Sequence, residues 1–566
     1  MSNLGNFVWS IADQLRGVYK PHQYGGVILP FTILRRLDCI LESTRDEVRA
    51  LAKKHDGGAL DVQVRQKTGL RFYNTSEYDF AKLLAEPDQL RSNLIDYINR
   101  FSANIDVFER FKFENEVATL DEKGRLYLVV SKFAEVDLHP DSVPNAEMGD
   151  LFEELIRKFA EASNEEAGEH YTPRDAIRLM VDLLFAEDTS ALLEPGVVRS
   201  IYDPTAGTGG MLSVAEERLL ERNPKARLAL YGQEINDQSY AICKSDMIAK
   251  GQDATNIQLA DTLADDKFAG RTFDFCMSNP PYGVDWKASQ ESVKAESAQF
   301  PRGRFGHGLP PVSDGQMLFL SHLAHKMRPA HEGGGRAGIV LNGSPLFNGA
   351  AESGPSEIRR WLLESDLVDA IVALPNNMFF NTGIATYIWI LDNSKAPERK
   401  GKVQLIDATG FWTKMRKNLG AKGREVGAGD REKVISLYDA FEESEHSKVF
   451  DIADFGYWTI TINAPLLDGD GNPLLDSKRR PKPAPRPDTE NVPFNYDGGI
   501  EGYFKSEVLP HVPDAWIDEK KTKVGYEIPF TRHFYKYVPP RPLAEIDADL
   551  ESQIAKILHL LREVEE

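Results

Sequence analysis

Only three cysteines, Cys39, Cys243 and Cys276, occur in the 566 residues, and no two of them form a CxxC pair. An odd, scattered set excludes a disulfide framework and a thiolate zinc site, and it fits a reducing cytoplasm. Long apolar runs are missing too. The longest, such as residues 27–34 and 384–391, fall far short of the roughly 20 residues that a membrane span needs. The amino terminus shows no basic stretch followed by an apolar core, so no export signal is expected. Positive charge is scarce: Lys and Arg total 67 against 87 Asp and Glu, a formal net charge of −20. Phosphate contacts need cations, so this balance disfavours a generic nucleic-acid binder. A function on DNA would require a partner or a confined basic surface. There is no internal repeat and no GxGxxG fingerprint.

What is present is an ordinary globular composition, long enough for several cores and roughly three or four domains. Residues 1–150 read as helical, with apolar positions Phe7, Ile11, Leu15 and then Ile33, Leu37, Ile40 at helical spacing. Over 151–400 the texture changes to helices alternating with short β-rich runs at 198–202, 228–232, 256–259, 273–277, 337–341 and 367–373. That alternation predicts an α/β fold, a mostly parallel sheet covered on both faces. A third region, 401–566, begins with a helix-rich insert over 410–450. The stretch 478–487 (KRRPKPAPRP) reads as an extended linker, either solvated or touching phosphates. A helix after Pro542 aligns Ile546, Leu550, Ile554, Ile557, Leu561 and Val564 in one seam, which suits a partner helix.

Residues 197–210, VVRSIYDPTAGTGG, read as a strand, a glycine-rich turn from Asp203 to Gly210, and a helix. The glycines of such a turn let the backbone adopt positive φ and let a ligand approach the main chain closely. An acidic residue followed by GxGG suits a ligand without phosphates but with cationic groups, as in S-adenosylmethionine, whose ammonium and sulfonium Asp203 would face. The next strand ends in Glu234, where ribose hydroxyls of an adenosyl group would sit. The one after ends in Asp261, placed to accept from an adenine amino group. Capping of the following helix is the alternative role for both acids.

Residues 273–283, FDFCMSNPPYG, carry an apolar strand into Asn279, Pro280, Pro281 and Tyr282. An exocyclic amine on a base is a poor nucleophile because its lone pair is delocalised into the ring. Two acceptors aimed at its hydrogens draw the nitrogen toward tetrahedral geometry, and the Asn279 side-chain oxygen and Pro280 carbonyl can supply both. Proline after Asn279 favours an extended backbone there, and neither proline carries an N–H to compete. Tyr282 offers a flat face to a base that has left its stack. Catalysis would be chiefly positioning, with the proton lost to solvent.

On these motifs, and on residues 168–174 (GEHYTPR), the chain resembles the modification subunits of type I restriction-modification systems, which are N6-adenine DNA methyltransferases. The likeness extends to SDGQMLFL at 313–320, GRAGIVLNGSPLF at 335–347 and LPNNMFFNTGIATYIWIL at 374–391. It implies a Rossmann-like S-adenosylmethionine-dependent methyltransferase sheet, an N-terminal helical domain and a C-terminal helical tail. It implies that Glu169, His170, Tyr171, Thr172, Pro173 and Arg174 line the cofactor pocket with Thr205, Ala206, Gly207 and Glu234. His170 departs from the family pattern, which has an aromatic there. The expected substrate is double-stranded DNA with a flipped adenine. The expected partners are a specificity subunit joining two copies of this chain and an optional restriction subunit; no metal is expected. Two other readings use parts of the same sequence. A glutamine methyltransferase shares the NPPY loop but not the flanking helices or the YTPR segment, and a nicotinamide-dependent oxidoreductase would need GxGxxG.

Overall fold

The computed structural model describes residues 10–20, 23–144, 147–148, 155, 172–186, 192–250, 252–380, 383–419, 421–469, 472–535, 537 and 542–565. Glu169, His170 and Tyr171 lie outside them. The described residues of the amino-terminal part are mainly helical. Helix α1, Tyr24–Leu41, is apolar nearly all round, and Val27, Ile28, Phe31, Ile33, Leu34 and Leu37 are fully buried. Such a helix belongs at the centre of a bundle. Helices Phe80–Ala85, Leu90–Asn99, Phe113–Glu122 and Leu126–Ala134 surround it. Phe31 meets Phe113 edge-on at 4.8 Å and stacks on Phe133 at 5.3 Å. The buried carboxylate of Asp38 is held by Arg35 (2.7 Å), Arg45 (2.5 Å) and the Tyr97 hydroxyl (2.8 Å). Burial with every partner satisfied is what makes such a charge tolerable.

Among the described residues, nine strands form the central sheet: β1 Val198–Asp203, β2 Arg227–Glu234, β3 Ile257–Leu259, β4 Phe275–Ser278, β5 Arg336–Asn342, β6 Val368–Ala373, β7 Thr386–Asp392, β8 Lys402–Asp407 and β11 Ser447–Asp451. Their spatial order is β11-β8-β6-β7-β5-β4-β1-β2-β3, all parallel except β7 and β11. The order in which strands are added reverses at β1: β2 and β3 extend the sheet on one side, and β4 and β5 on the other. At such a switch point, ligands bind beyond the carboxyl ends of the strands. Helices α2 Arg174–Leu184, α3 Gly210–Arg222, α4 Asp237–Ala249, α5 Gln316–Lys326 and α6 Gly354–Glu364 connect or cover the strands. The apolar residues of the amino-terminal helices and of the sheet's inner face share one buried cluster. Lys244 and Tyr240 of α4 both bond Asp106 of the helical part, at 2.7 and 3.0 Å.

All six expected strands are present, within one or two residues. Two expectations for the later chain are corrected. Over 410–450 the first half is not helical. It is a two-stranded ribbon of β9 Thr413–Leu419 and β10 Lys422–Glu425, and helix α7 Ala428–Ala440 follows. The 478–487 stretch is not an extended linker. It folds back between β12 Gly456–Asn463 and β13 Asp488–Pro493, with bridges Pro465–Pro483, Leu467–Pro473 and Leu475–Pro481. The prolines sit where no N–H is required, and Leu466, Leu474, Lys482 and Ala484 supply the ladder N–H groups between them. β14 Trp516–Ile517 and β15 Lys523–Tyr526 pair with β12 and complete this small sheet.

Residues 529–566 form a separate unit, containing a short helix Phe530–Phe534 and helix α8 Leu543–Glu565. On α8, Leu550, Ile554 and Ile557 are exposed. Among the described residues, no helix is long and apolar enough to cross a membrane.

Candidate active site at the carboxyl edge of the sheet

β1 and β4 are neighbouring parallel strands, with Ile201 opposite Phe275 and Tyr202 opposite Cys276. The turns that follow them therefore leave the same edge of the sheet, side by side. They also touch: the hydroxyls of Thr205, in the first turn, and Ser278, immediately before Asn279, lie 2.7 Å apart. The glycine turn and the NPPY turn are thus two walls of one site.

The first wall is built by close packing. Gly207 and Gly209 have φ of 53° and 82°, the left-handed region in which glycine carries no penalty. A Cβ on Gly209 would lie 2.7 Å from the sulfur of Cys243 on α4, and one on Gly232 would press on Ile257, Ala206 and Leu212. The turn is pinned by Ala206 N–H to Gln233 O (3.0 Å), and by the Thr262 hydroxyl to Pro204 O (2.6 Å). Asp203 is completely buried. Its Oδ1 accepts from the Thr205 N–H (2.9 Å) and hydroxyl (3.2 Å), whereas its Oδ2 has no described partner. Burial pushes this carboxyl up to about 7, against the lowering effect of the Thr205 bonds. Glu234 accepts from the Gly207 N–H and the Asn236 N–H, both at 2.8 Å. Asp261 accepts from the Leu263 N–H (2.9 Å) and the Ser289 hydroxyl (2.6 Å). Each oxygen of these two acids retains acceptor capacity beyond the bond it makes.

The second wall centres on Asn279. Its amide Nδ2 donates to Thr172 Oγ1 at 2.8 Å, and its Oδ1 accepts from the Tyr282 hydroxyl at 2.5 Å. The segment before α2 and the NPPY turn, 107 residues apart, thus fix one amide between them. Pro280 is buried and Tyr282 half-buried, its ring edge-on to Phe379 at 6.4 Å. Burial raises the Tyr282 phenol well above its ordinary value, so it stays protonated and donates. Pro173 precedes α2 as its cap residue, and Arg174 turns toward Glu217 of α3, at 2.9 Å.

Sequence reasoning missed three supports of this site. Ser278 sits one residue before the motif. Ser289 and Arg304 belong to a stretch with no pattern to mark it. Arg304 donates to the carbonyls of Thr262 (2.7 Å) and Leu263 (3.2 Å), just after Asp261, and pairs with Glu296 at 2.6 Å. Its NH1 also lies 3.0 Å from His322 Nδ1. Arginine can only donate, so His322 presents its Nε2–H to the Tyr202 hydroxyl, 3.1 Å away. Burial, reinforced by Arg304, pushes the His322 imidazole well below its usual range and keeps it neutral. A cavity of about 370 Å³ lies at the opposite edge of the sheet, with Arg328–Asp274 and Arg336–Asp392 ion pairs in its walls. Among the described residues, no cluster of His, Cys, Asp or Glu is arranged to hold a metal ion.

The raised Asp203 value has a measurable consequence. Its folded-state pKa lies above its unfolded one, so folding takes up a proton between about pH 4 and about pH 7. Stability from this group is present at the acid end and is lost as pH rises through that window. The Asp203→Asn variant is therefore expected to gain stability relative to the parent as pH is raised from 4 to 8. Denaturant midpoints of both proteins across that range check it, and parallel curves would contradict it.

Residues 144–456, more than half of the chain, match the N-6 DNA Methylase family, and residues 4–133 match the HsdM N-terminal domain. The chain is 26% identical over 462 residues to the type I restriction enzyme MjaIX methylase subunit of Methanocaldococcus jannaschii, covering 78% of this chain and 77% of that one. It is 28% identical to the HindI methylase subunit of Haemophilus influenzae, over 53% of this chain and 61% of that one. The fold is similar to the crystal structure of the type I restriction-modification system methyltransferase subunit from Streptococcus thermophilus, with a TM-score of 0.62. That match is 24% identical and covers 80% of this chain and 96% of that one.

Proposed function

Because the chain belongs to the N-6 DNA methylase family, we propose that it methylates the N6 amino group of specific adenines in double-stranded DNA, as the modification subunit of a type I restriction-modification assembly. S-adenosylmethionine, when bound, supplies the methyl group on a sulfonium that makes it transferable. The residues at the first wall fit that molecule. Asp203 Oδ2, buried and unpartnered among the described residues, would meet its ammonium. Glu234 and Asp261 are carboxylates at the ends of successive strands, suited to ribose hydroxyls and an adenine amino group. The turn of Thr205, Ala206, Gly207 and Gly209 gives the close main-chain approach, with Thr172 and Pro173 beside it.

At the second wall, Asn279 Oδ1 accepts one hydrogen of the target amine, and the Pro280 carbonyl accepts the other. Thr172 fixes which atom of the amide faces the base, because its hydroxyl oxygen accepts a hydrogen from Nδ2. Tyr282, already bonded to the same oxygen, moves aside or shares it, since a carbonyl oxygen has two lone pairs. Its ring then covers a face of the extruded base. Pro281 stiffens the backbone that carries these groups. No strong base is required, and the excess proton leaves to solvent once the new N–C bond has formed.

The observation that carries this reading is the 2.7 Å contact between Thr205 and Ser278, which sets donor and acceptor turns against each other. In the assembly, two copies of this chain join one specificity subunit in the cytoplasm, with an optional restriction subunit. The exposed seam of α8 is the element proposed to meet that partner. Sequencing DNA from cells that express the chain with its genomic neighbour, reading modified bases directly, tests the whole. N6-methyladenine at one recurring site is expected; unmodified DNA, together with transfer of labelled methyl groups to protein, would overturn it.

A further inference from the structure

A net charge of −20 leaves open how this subunit holds a polyanion. One segment runs against that charge. Between Trp412 and Arg424 stand five basic residues, Lys414, Arg416, Lys417, Lys422 and Arg424, and no acid. With the exposed Glu425 that ends β10, this segment makes up the β9–β10 ribbon, whose two strands pair, among the described residues, with each other. It emerges after the carboxyl end of β8, which runs parallel to β6, so it stands at the same edge of the sheet as Asn279.

The two faces of the ribbon differ. On the inner face Lys422 is buried, and its ammonium is taken up by Asp175 (2.9 Å) and the Met378 carbonyl (2.9 Å). Ala421 N–H bonds Phe380 O at 2.9 Å, and Gly423 N–H bonds Asn377 O at 3.0 Å. Asp175 lies three residues after Thr172, whose hydroxyl holds Asn279, so the ribbon is anchored within a few residues of the catalytic amide. On the outer face, Lys414 and Arg416 are exposed and form no ion pair with a described residue. They alternate along β9, roughly 7 Å apart at the strand rise. Arg424 sits directly opposite Lys414 in the register and lies 3.9 Å over the Trp412 ring. Arg424 is held by the Trp412 ring, but like charges facing each other across a ladder destabilise it. An anion lying across this face removes the repulsion.

We propose that the outer face of the β9–β10 ribbon is a DNA-backbone clamp, with Lys414 and Arg416 on consecutive phosphates of the strand that presents its base to Asn279. The proposal rests on the functional reading above and adds the local grip that the overall charge denies. Its test is the salt dependence of duplex DNA binding by the full chain, in the assembly with which it purifies. Two double variants are compared with the parent, Lys414→Gln with Arg416→Gln and the charge-retaining Lys414→Arg with Arg416→Lys. Loss of two phosphate contacts is expected to reduce the slope of log affinity against log salt by about two in the neutral variant. The charge-retaining variant should keep the parent slope, and both should bind S-adenosylmethionine as the parent does. A neutral variant with the parent slope overturns the clamp; if it has instead lost its protein partner, the ribbon is a subunit interface. A parent that binds no DNA overturns the functional reading and the clamp together.

Discussion

Replacing Asn279 with alanine is expected to reduce methyl transfer to DNA by at least roughly 10²–10³, the loss typical when one preorganised polar contact to the reacting centre is removed. The affinity for S-adenosylmethionine is expected to stay close to that of the parent. The two effects are expected to separate because the amide belongs to the wall formed by β4 and Thr172, whereas the proposed donor contacts lie chiefly on the turn after β1 and on Glu234 and Asp261. Equilibrium binding and single-turnover methylation on one preparation measure both. Near-parental turnover would remove Asn279 from the reaction. Equal losses of binding and turnover would mean that the turn as a whole had moved.

Gly209→Ala is expected to damage the opposite wall, lowering both donor affinity and thermal stability. At φ of 82° an L side chain costs about 1–2 kcal/mol by itself. The added methyl also lands 2.7 Å from the sulfur of Cys243, which is fully buried in α4. Overpacking of this kind commonly costs a further 1–3 kcal/mol. The sum corresponds to a fall in Tm of several degrees in a chain of this size, and the turn must shift to relieve the clash. Removing the sulfur separates the two contributions. Adding Cys243→Ala should recover the steric part of the loss and leave the backbone part. Strictly additive effects of the two substitutions, measured by melting and by ligand titration, would show that the contact is not the cause.

These expectations rest on parts of the molecule that differ in how well they could be read from sequence. The positions of the glycine-rich turn, of the two acids after the next two strands and of the NPPY turn were legible because each follows a short apolar strand in order. The six strands read from sequence were short runs of branched and aromatic residues between helical periods. β7 was visible only as an apolar run; buried on both faces, it has no alternation to mark it as a strand. β8 and β11 lie beyond the region read as the sheet, with few branched residues to signal a strand. The ribbon was mistaken for helix because lysines and arginines suit an exposed helical surface as well as a strand. The bond from Thr172 to Asn279 spans 107 residues, and only the sheet order brings its ends together. Arg304 and Ser289 could not be found by pattern, because they act on backbone carbonyls and on one carboxylate.

The position of β7 has a consequence for how the protein is made. β5 and β6 never touch, since β7 lies between them and runs the other way. The half of the sheet from β3 to β5 is complete once residue 342 has left the ribosome, and both reactive turns already stand on it. β6 must then wait, with neither ladder partner yet synthesised, while about a dozen further residues are added, on the order of a second at ordinary translation rates. Nascent chains whose residue 342 has cleared the exit tunnel should therefore already hold the β1 and β4 turns side by side, before Phe379, the outer strands and the ribbon are in place. On that timetable, a subunit interrupted between β6 and β7 exposes the unpaired edge of β5, the one later covered by β7.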